Sequence, residues 1–169
     1  MNQSDFLKVA LPFKDKVFRM AKRLLVSTEE AEDATQELFL KLWRNKEKLA
    51  DYKNTEAFAM TMTKNYCYDR LKSKQASNLK LIHSNYKEKD TSLDKKIEYI
   101  DSVNKVHLLI EKLPEQQKLI IQLRDIEQYD FDEICNILEM KPTAVRVSLS
   151  RARKTIREEL TKQHDYGVS

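Results

Sequence analysis

Between Arg146 and Arg157 lie the side chains with the clearest chemistry in this 169-residue chain. Arg146, Ser150, Arg153 and Arg157 recur at helical spacing, combining fixed cations with a hydroxyl, a set suited to phosphates and to the edges of bases. Residues 141–162 hold seven Lys or Arg against Glu158 and Glu159. The stretch before them, 127–140, is the reverse: Glu127, Asp130, Asp132, Glu133 and Glu139 with no Lys or Arg. A second group, Glu29, Glu30, Glu32 and Asp33, offers oxygen ligands of the kind Mg²⁺ prefers, as an all-helical nucleotide pyrophosphohydrolase would use. That reading needs a second carboxylate pair on a facing helix, which the sequence does not display, and it leaves the basic stretch unexplained. Cys67 and Cys135 stand alone without a CxxC or paired histidines, so they read as small core residues in a reducing compartment. His107 lies beside an apolar stripe and reads as a structural histidine. No catalytic residue, metal site, cofactor or small-molecule substrate is expected, and the chain is not expected to be an enzyme.

Two short helices must position the basic set. Phe131, Ile134, Cys135 and Leu138 form one apolar face, interrupted by Glu139, Met140 and Lys141. Pro142 suits the first turn of a new helix. From there Val145, Leu149, Ala152, Ile156 and Leu160 make a second stripe facing the first. The spacing predicts a helix-turn-helix whose second helix reads DNA, with Arg146, Ser150, Arg153 and Arg157 on the face opposite the stripe.

The rest of the chain supports an all-α protein of two small helical domains joined by a flexible polar linker, the C-terminal domain being a helix-turn-helix four-helix bundle. One glycine and three prolines leave little for the turns of a sheet. Charged residues make up 34% while the net charge is only +4, so the distribution of charge is more informative than its sum. The N-terminus lacks the pattern of a secretory leader, and no stretch approaches membrane-helix length, so a soluble, cytoplasmic protein without membrane insertion is expected.

The first domain spans 4–75. Phe13, Val17, Ala21, Leu24 and Leu25 keep one stripe, with Lys14, Lys16, Lys22 and Arg23 off it. Ser27 and Glu30 have capping-box spacing for a helix over about 28–45. That helix buries Ala31, Ala34, Leu38 and Leu42 and presents Glu29, Glu32, Asp33, Gln36, Glu37 and Phe39. A third helix over about 55–75 turns Phe58, Met62, Tyr66 and Leu71 inward. Its basic C-terminal half interleaves Lys64, Arg70, Lys72 and Lys74 with Tyr66 and Tyr68, a mixture used to bind single-stranded nucleic acid. Residues 76–102 read as the linker, with a short helical turn near 93–100. The second domain, 103–163, opens with Val106, Leu109, Ile110 and Leu113 ahead of Pro114, and a further helix carries Leu119, Ile120, Leu123 and Ile126.

Several stretches resemble the extracytoplasmic-function subfamily of sigma-70 RNA polymerase sigma factors. AEDATQELFLKLW, from Ala31 to Trp43, is similar to that family's AEDxxQExFLxxW. FAMTMTKNYCYDRLK follows WLxxIAxNxxxDxxR with Asn65 and Asp69 in register. LPEQQKLIIQLRDIEQYDFDEICNIL and AVRVSLSRAR are similar to the opening and closing blocks of region 4. The resemblance implies a factor that binds core RNA polymerase and directs it to promoters through −10 and −35 elements, with an anti-sigma factor as a further partner. It assigns 4–75 to region 2 and 103–163 to region 4. It implies core-polymerase contacts at Asp33, Gln36, Glu37 and Phe39. The −10 single-strand contacts would fall on Lys53, Asn54, Lys64, Asn65 and Arg70. The −35 duplex contacts would fall on Arg146, Val147, Ser150 and Arg151, with Arg124 on phosphate. Glu139 stands where the family commonly has glycine, so the turn must close on a residue with a Cβ. The alternative is a stand-alone helix-turn-helix regulator using 103–162, which would bind duplex without polymerase.

Overall fold

A computed structural model describes residues 1–78 and 102–168. The expected turn near 93–100 and all but the ends of the expected linker lie outside them. The first unit contains α1 (Gln3–Ala10), a 3₁₀ turn at Leu11–Phe13, α2 (Lys14–Leu25), α3 (Thr28–Arg44), the single turn α4 (Lys46–Leu49) and α5 (Thr55–Asn78). The second contains α6 (Ser102–Glu111), α7 (Glu115–Ile121) continuing into a wide π-type turn at Gln122–Ile126, α8 (Phe131–Leu138) and α9 (Pro142–Val168). Among the described residues every regular element is helical, as the glycine-poor composition predicts. No described helix is long and apolar enough to cross a membrane.

The helix starts follow local chemistry. Ser27 Oγ accepts from the Glu30 amide at 3.3 Å and so caps α3. The Glu30 carboxylate does not return to close a capping box; it pairs with Lys74 of α5. Asp130 Oδ1 accepts from the Glu133 amide at 2.7 Å and caps α8. With the sole glycine near the C-terminus, turns that need a left-handed residue are made by side chains with a Cβ: Val26 (φ 58°), Gln128 (φ 62°) and Glu139 (φ 55°).

In the first unit, Val17, Met20, Ala21 and Leu24 of α2 meet Ala31, Ala34, Leu38 and Leu42 of α3, all buried. On α5 the fully buried side chains are Ala59, Met60, Thr63 and Cys67, whereas Phe58, Met62, Tyr66 and Leu71, the expected inward set, are half-buried. The shift has a tertiary cause: α5 packs not only on α2 and α3 but also on α8 of the second unit. The second unit is the expected four-helix arrangement, α9 lying against α6, α7 and α8. The buried residues of both units join in one continuous core.

Candidate nucleic-acid and polymerase interfaces

The helix-turn-helix closes through Glu139. In the left-handed conformation (φ 55°, ψ 47°) it turns its own amide and that of Met140, at 3.1 Å, onto the Cys135 carbonyl, which satisfies the C-terminus of α8 without glycine. Pro142 then starts α9, and Val145, Leu149 and Ala152 are buried in the same core as Ile134 and Ile137. Arg146, Val147, Ser150 and Arg151 are exposed on α9, Val147 at 41%. Ser148 is half-buried and donates to Gln116 at 3.2 Å, fixing α9 against α7.

One expectation for α9 is corrected. Arg146, Ser150, Arg153 and Arg157 do not lie opposite the apolar stripe; they edge a groove of about 870 Å³ floored by Leu149, Ile156 and Ile110. Helical geometry gives the reason: at about 100° per residue these four sit roughly a quarter-turn from Val145, and Val147, Arg151 and Lys154 point more directly away. Arg153 is held by Asp125 through bonds of 3.1 and 2.5 Å. Arg124 is likewise engaged, donating to the Tyr129 carbonyl at 2.9 Å and lying 4.6 Å above the Phe131 ring, over which Arg146 also sits at 5.4 Å.

On α3, Asp33, Gln36 and Glu37 are exposed, and Phe39 is half-buried, stacked on Phe13 at 6.0 Å. Gln36 and Phe39, but not Asp33 or Glu37, border a groove between α1 and α3 of about 670 Å³, which Phe6, Leu7, Leu11, Leu40 and Trp43 also line. Leu7, Leu11 and Leu40 are exposed at 39%, 54% and 46%. Sequence reasoning had not singled out Leu40; its signal is an apolar residue outside the Ala31, Ala34, Leu38, Leu42 stripe. Of the four clustered carboxylates, Glu30 pairs with Lys74, and Asp33 lies 3.9 Å from Arg70. Among the described residues no group of three or more His, Cys, Asp or Glu is placed to hold a metal ion.

The expected single-strand contacts are not gathered on one face. Lys53 and Asn54 precede α5, where Asn54 Oδ1 accepts from the Ala57 amide at 3.0 Å. Beside them Tyr52, 40% exposed, stacks on Phe58 at 4.2 Å, an aromatic pair missed in the sequence because its members flank a helix start. Lys64, Asn65 and Arg70 point in three directions around α5. Asn65 is exposed, and Arg70 is half-buried near the Tyr66 hydroxyl (3.5 Å). Lys64 is buried, and its Nζ donates to the Ile137 carbonyl of α8 at 2.9 Å.

That bond is one of several across the seam between the units. Arg19 of α2 grips Glu127 through Nε at 2.5 Å and Nη2 at 2.8 Å. Arg23, expected on the solvent side of α2, is buried: its Nε donates to Gln122 at 2.9 Å, and its Nη2 lies 2.6 Å from His107 Nδ1. Burial lowers the pKa of both Arg23 and His107, and the nearby guanidinium lowers that of His107 further. Lys16 lies 5.0 Å over the Tyr129 ring, whose hydroxyl is pushed up in pKa by burial and by the charge of Glu56. Burial, and after it Asp130, raises the pKa of the Glu133 carboxyl, while the neighbouring Asn54 side chain lowers it.

A family model described as Sigma-70 region 2 matches residues 11–77, and one described as Sigma-70, region 4 matches 104–156. The chain is 22% identical to the ECF RNA polymerase sigma factor SigW of Bacillus subtilis, over 94% of this chain and 90% of that protein. It is 26% identical to the RNA polymerase sigma-H factor of Pseudomonas aeruginosa, over 88% and 82%. In fold it is similar to the sigma factor RpoE of Bartonella quintana, solved in complex with the anti-sigma factor NepR: TM-score 0.73 and 18% identity over 93% of this chain and 97% of that one.

Proposed function

Since the chain belongs to the extracytoplasmic-function branch of the sigma-70 family of RNA polymerase sigma factors, we propose that residues 4–75 dock on core polymerase and hold the opened −10 element while 103–163 read the −35 element, with 76–102 as the connection. The observation that carries this reading is the separation of two unlike surfaces on one chain: an acidic, apolar-edged face on α3 and a cationic helix projecting from a helix-turn-helix. The first suits a protein partner with basic and apolar groups; the second suits a duplex.

On α3, Asp33, Gln36, Glu37 and Phe39 supply the docking contacts, and Leu40 adds apolar area at the same edge. On α9, Arg146, Val147, Ser150 and Arg151 enter the major groove, the arginines addressing guanine edges or phosphates and Val147 an apolar methyl. Arg124, held between Tyr129 and Phe131, reaches a flanking phosphate from its fixed position. In the −10 element, Lys53, Asn54, Lys64, Asn65 and Arg70 meet the displaced strand, and Tyr52, exposed and stacked on half-buried Phe58, offers a ring to an unstacked base. Two reading units on one chain fix both the register of polymerase and the point of strand opening. The reading places the protein in the cytoplasm, beside polymerase and DNA, and gives it no catalytic role of its own. An anti-sigma factor is a further partner, supported by the fold's likeness to a sigma factor solved with one.

The test mixes the purified chain with bacterial core RNA polymerase and follows co-elution in size exclusion. Co-elution lost in an Asp33→Arg, Glu37→Arg double variant is the expected result. A chain that fails to bind core yet shifts duplex DNA would instead be a stand-alone regulator.

A further inference from the structure

On α2, Arg19, Lys22 and Arg23 recur at i, i+3 and i+4 and so share one face. On α6, His107 and Glu111 do the same at i and i+4. Both faces line a cleft of about 340 Å³, to which the wide turn after α7 adds Gln122 and Ile126. In an α-helix, residues five apart lie about 140° apart around the axis. In this π-type turn the Glu127 amide donates to the Gln122 carbonyl at 3.0 Å, and the two side chains meet at 3.3 Å. The turn thereby delivers a neutral acceptor to Arg23 and a carboxylate to Arg19 at once.

Arg23 is the unusual member of this set. It is 7% exposed, yet its hydrogen-bond partners are neutral: Gln122 at 2.9 Å, the His107 carbonyl at 3.3 Å and His107 Nδ1 at 2.6 Å. These bonds use three of the five N–H donors of a guanidinium. Among the described residues no carboxylate lies within ion-pair distance of Arg23 or of exposed Lys22. A buried cation without an opposite charge is costly. The cleft holds three cations against one carboxylate, Glu111, so it stays positive even with Arg19 neutralised by Glu127. That field reaches His107, whose pKa is lowered by burial and then by Arg23, with Lys22 adding to it and Glu111 opposing. We propose that the cleft between α2 and α6 is a binding site for a small phosphate dianion, free or as the monoester of a metabolite. Its oxygens accept from buried Arg23 and from Lys22 at the surface, and Ile126 offers an apolar contact to an organic group. A cleft of this volume is at the small end of the range for ligand pockets. A nucleic-acid backbone, whose phosphates are flanked by sugars, does not reach a guanidinium at that depth.

The experiment titrates the full-length chain by calorimetry with inorganic phosphate and with glycerol 3-phosphate, at constant pH and ionic strength. One saturable site is expected. Lys22→Ala should weaken it on the order of tenfold, the loss of one charge-assisted hydrogen bond. Lys8→Ala, which removes an exposed lysine of α1 outside the cleft, should leave it unchanged. Arg23 is left in place, since its removal would strip Gln122 and His107 of their partner. Tighter binding of glycerol 3-phosphate identifies a monoester as the ligand; equal or tighter binding of inorganic phosphate identifies the free ion. Proton NMR locates the site: the His107 ring signal, assigned by its loss in His107→Gln, should move with the same midpoint as the heat. The absence of saturable binding by either probe overturns the proposal. So do equal affinities of Lys22→Ala and Lys8→Ala, which would mean a general attraction to a cationic chain, and so does a His107 signal that stays still while the heat saturates.

Discussion

The ammonium of Lys64 and the main-chain carbonyl of Ile137 meet at 2.9 Å across 73 residues of sequence. A lysine in the middle of a helix is ordinarily a solvated cation; this one is 8% exposed and bonded to the helix-turn-helix. A buried ammonium requires such an acceptor, because an unpaired charge away from water is costly. The pair makes the state of the first unit depend on where the second one sits.

The exposed apolar rim of α3 should matter to docking and not to folding. Leu40→Lys is expected to abolish co-elution with core polymerase while changing stability by no more than about 0.5 kcal/mol, as for other exposed positions. Size exclusion and a urea titration on the same variant decide it; a variant that still co-elutes removes Leu40 from the interface.

Left-handed residues with a Cβ are strained, and a β-branched one most of all. Val26, 60% exposed and at φ 58°, makes few contacts that its removal would lose. Val26→Gly should stabilise the chain by roughly 1 kcal/mol and raise the melting temperature by about 2–4 °C. Glu139→Gly should give a smaller gain, since Glu lacks the second Cβ branch. Thermal melts would reject the argument if either glycine lowered the midpoint.

Acidification should weaken the seam at His107. Its folded pKa lies below the ordinary 6.5, chiefly through burial and then through Arg23, so the unfolded chain takes up the proton first. The stability due to the neutral ring is therefore complete above about pH 7 and declines as pH falls through 6.5 toward the lower folded value. His107→Gln keeps an acceptor for Arg23 but does not titrate. Its urea midpoint should fall less than that of the wild type between pH 7.5 and 5.5, and equal losses would remove His107 as the cause.

On α9, neighbouring arginines should behave differently. Arg151 is exposed, whereas Arg153 is pinned by Asp125. If Arg151 meets a phosphate, Arg151→Ala should weaken holoenzyme binding to promoter duplex enriched from genomic DNA and reduce the magnitude of the log–log salt slope by about 0.9. Arg153→Ala should leave that slope nearly unchanged. Equal effects of the two substitutions would contradict the orientation of the helix.

Much of the architecture is local chemistry and was legible along the chain. Ser27 caps α3, Pro142 opens α9, and the Val145, Leu149, Ala152 stripe is buried as its spacing requires. These features depend on partners within a few residues, and periodicity reports them. The charge contrast between 127–140 and 141–162 was equally plain, but its purpose was not. Within the acidic half, Glu127 answers Arg19, 108 positions away.

What tertiary structure alone decided is the fate of the polar side chains at the seam and the rotation of α5. Arg23 and Lys64 look like surface cations in sequence; they are buried because Gln122, His107 and Ile137 are brought to them by the packing of one unit on the other. For the same reason α5 turns Ala59, Met60, Thr63 and Cys67 inward. A one-dimensional pattern tells which residues share a helix face. It does not tell how many neighbours that helix will have, and the number of neighbours sets how wide an arc is buried and which charges must find partners inside.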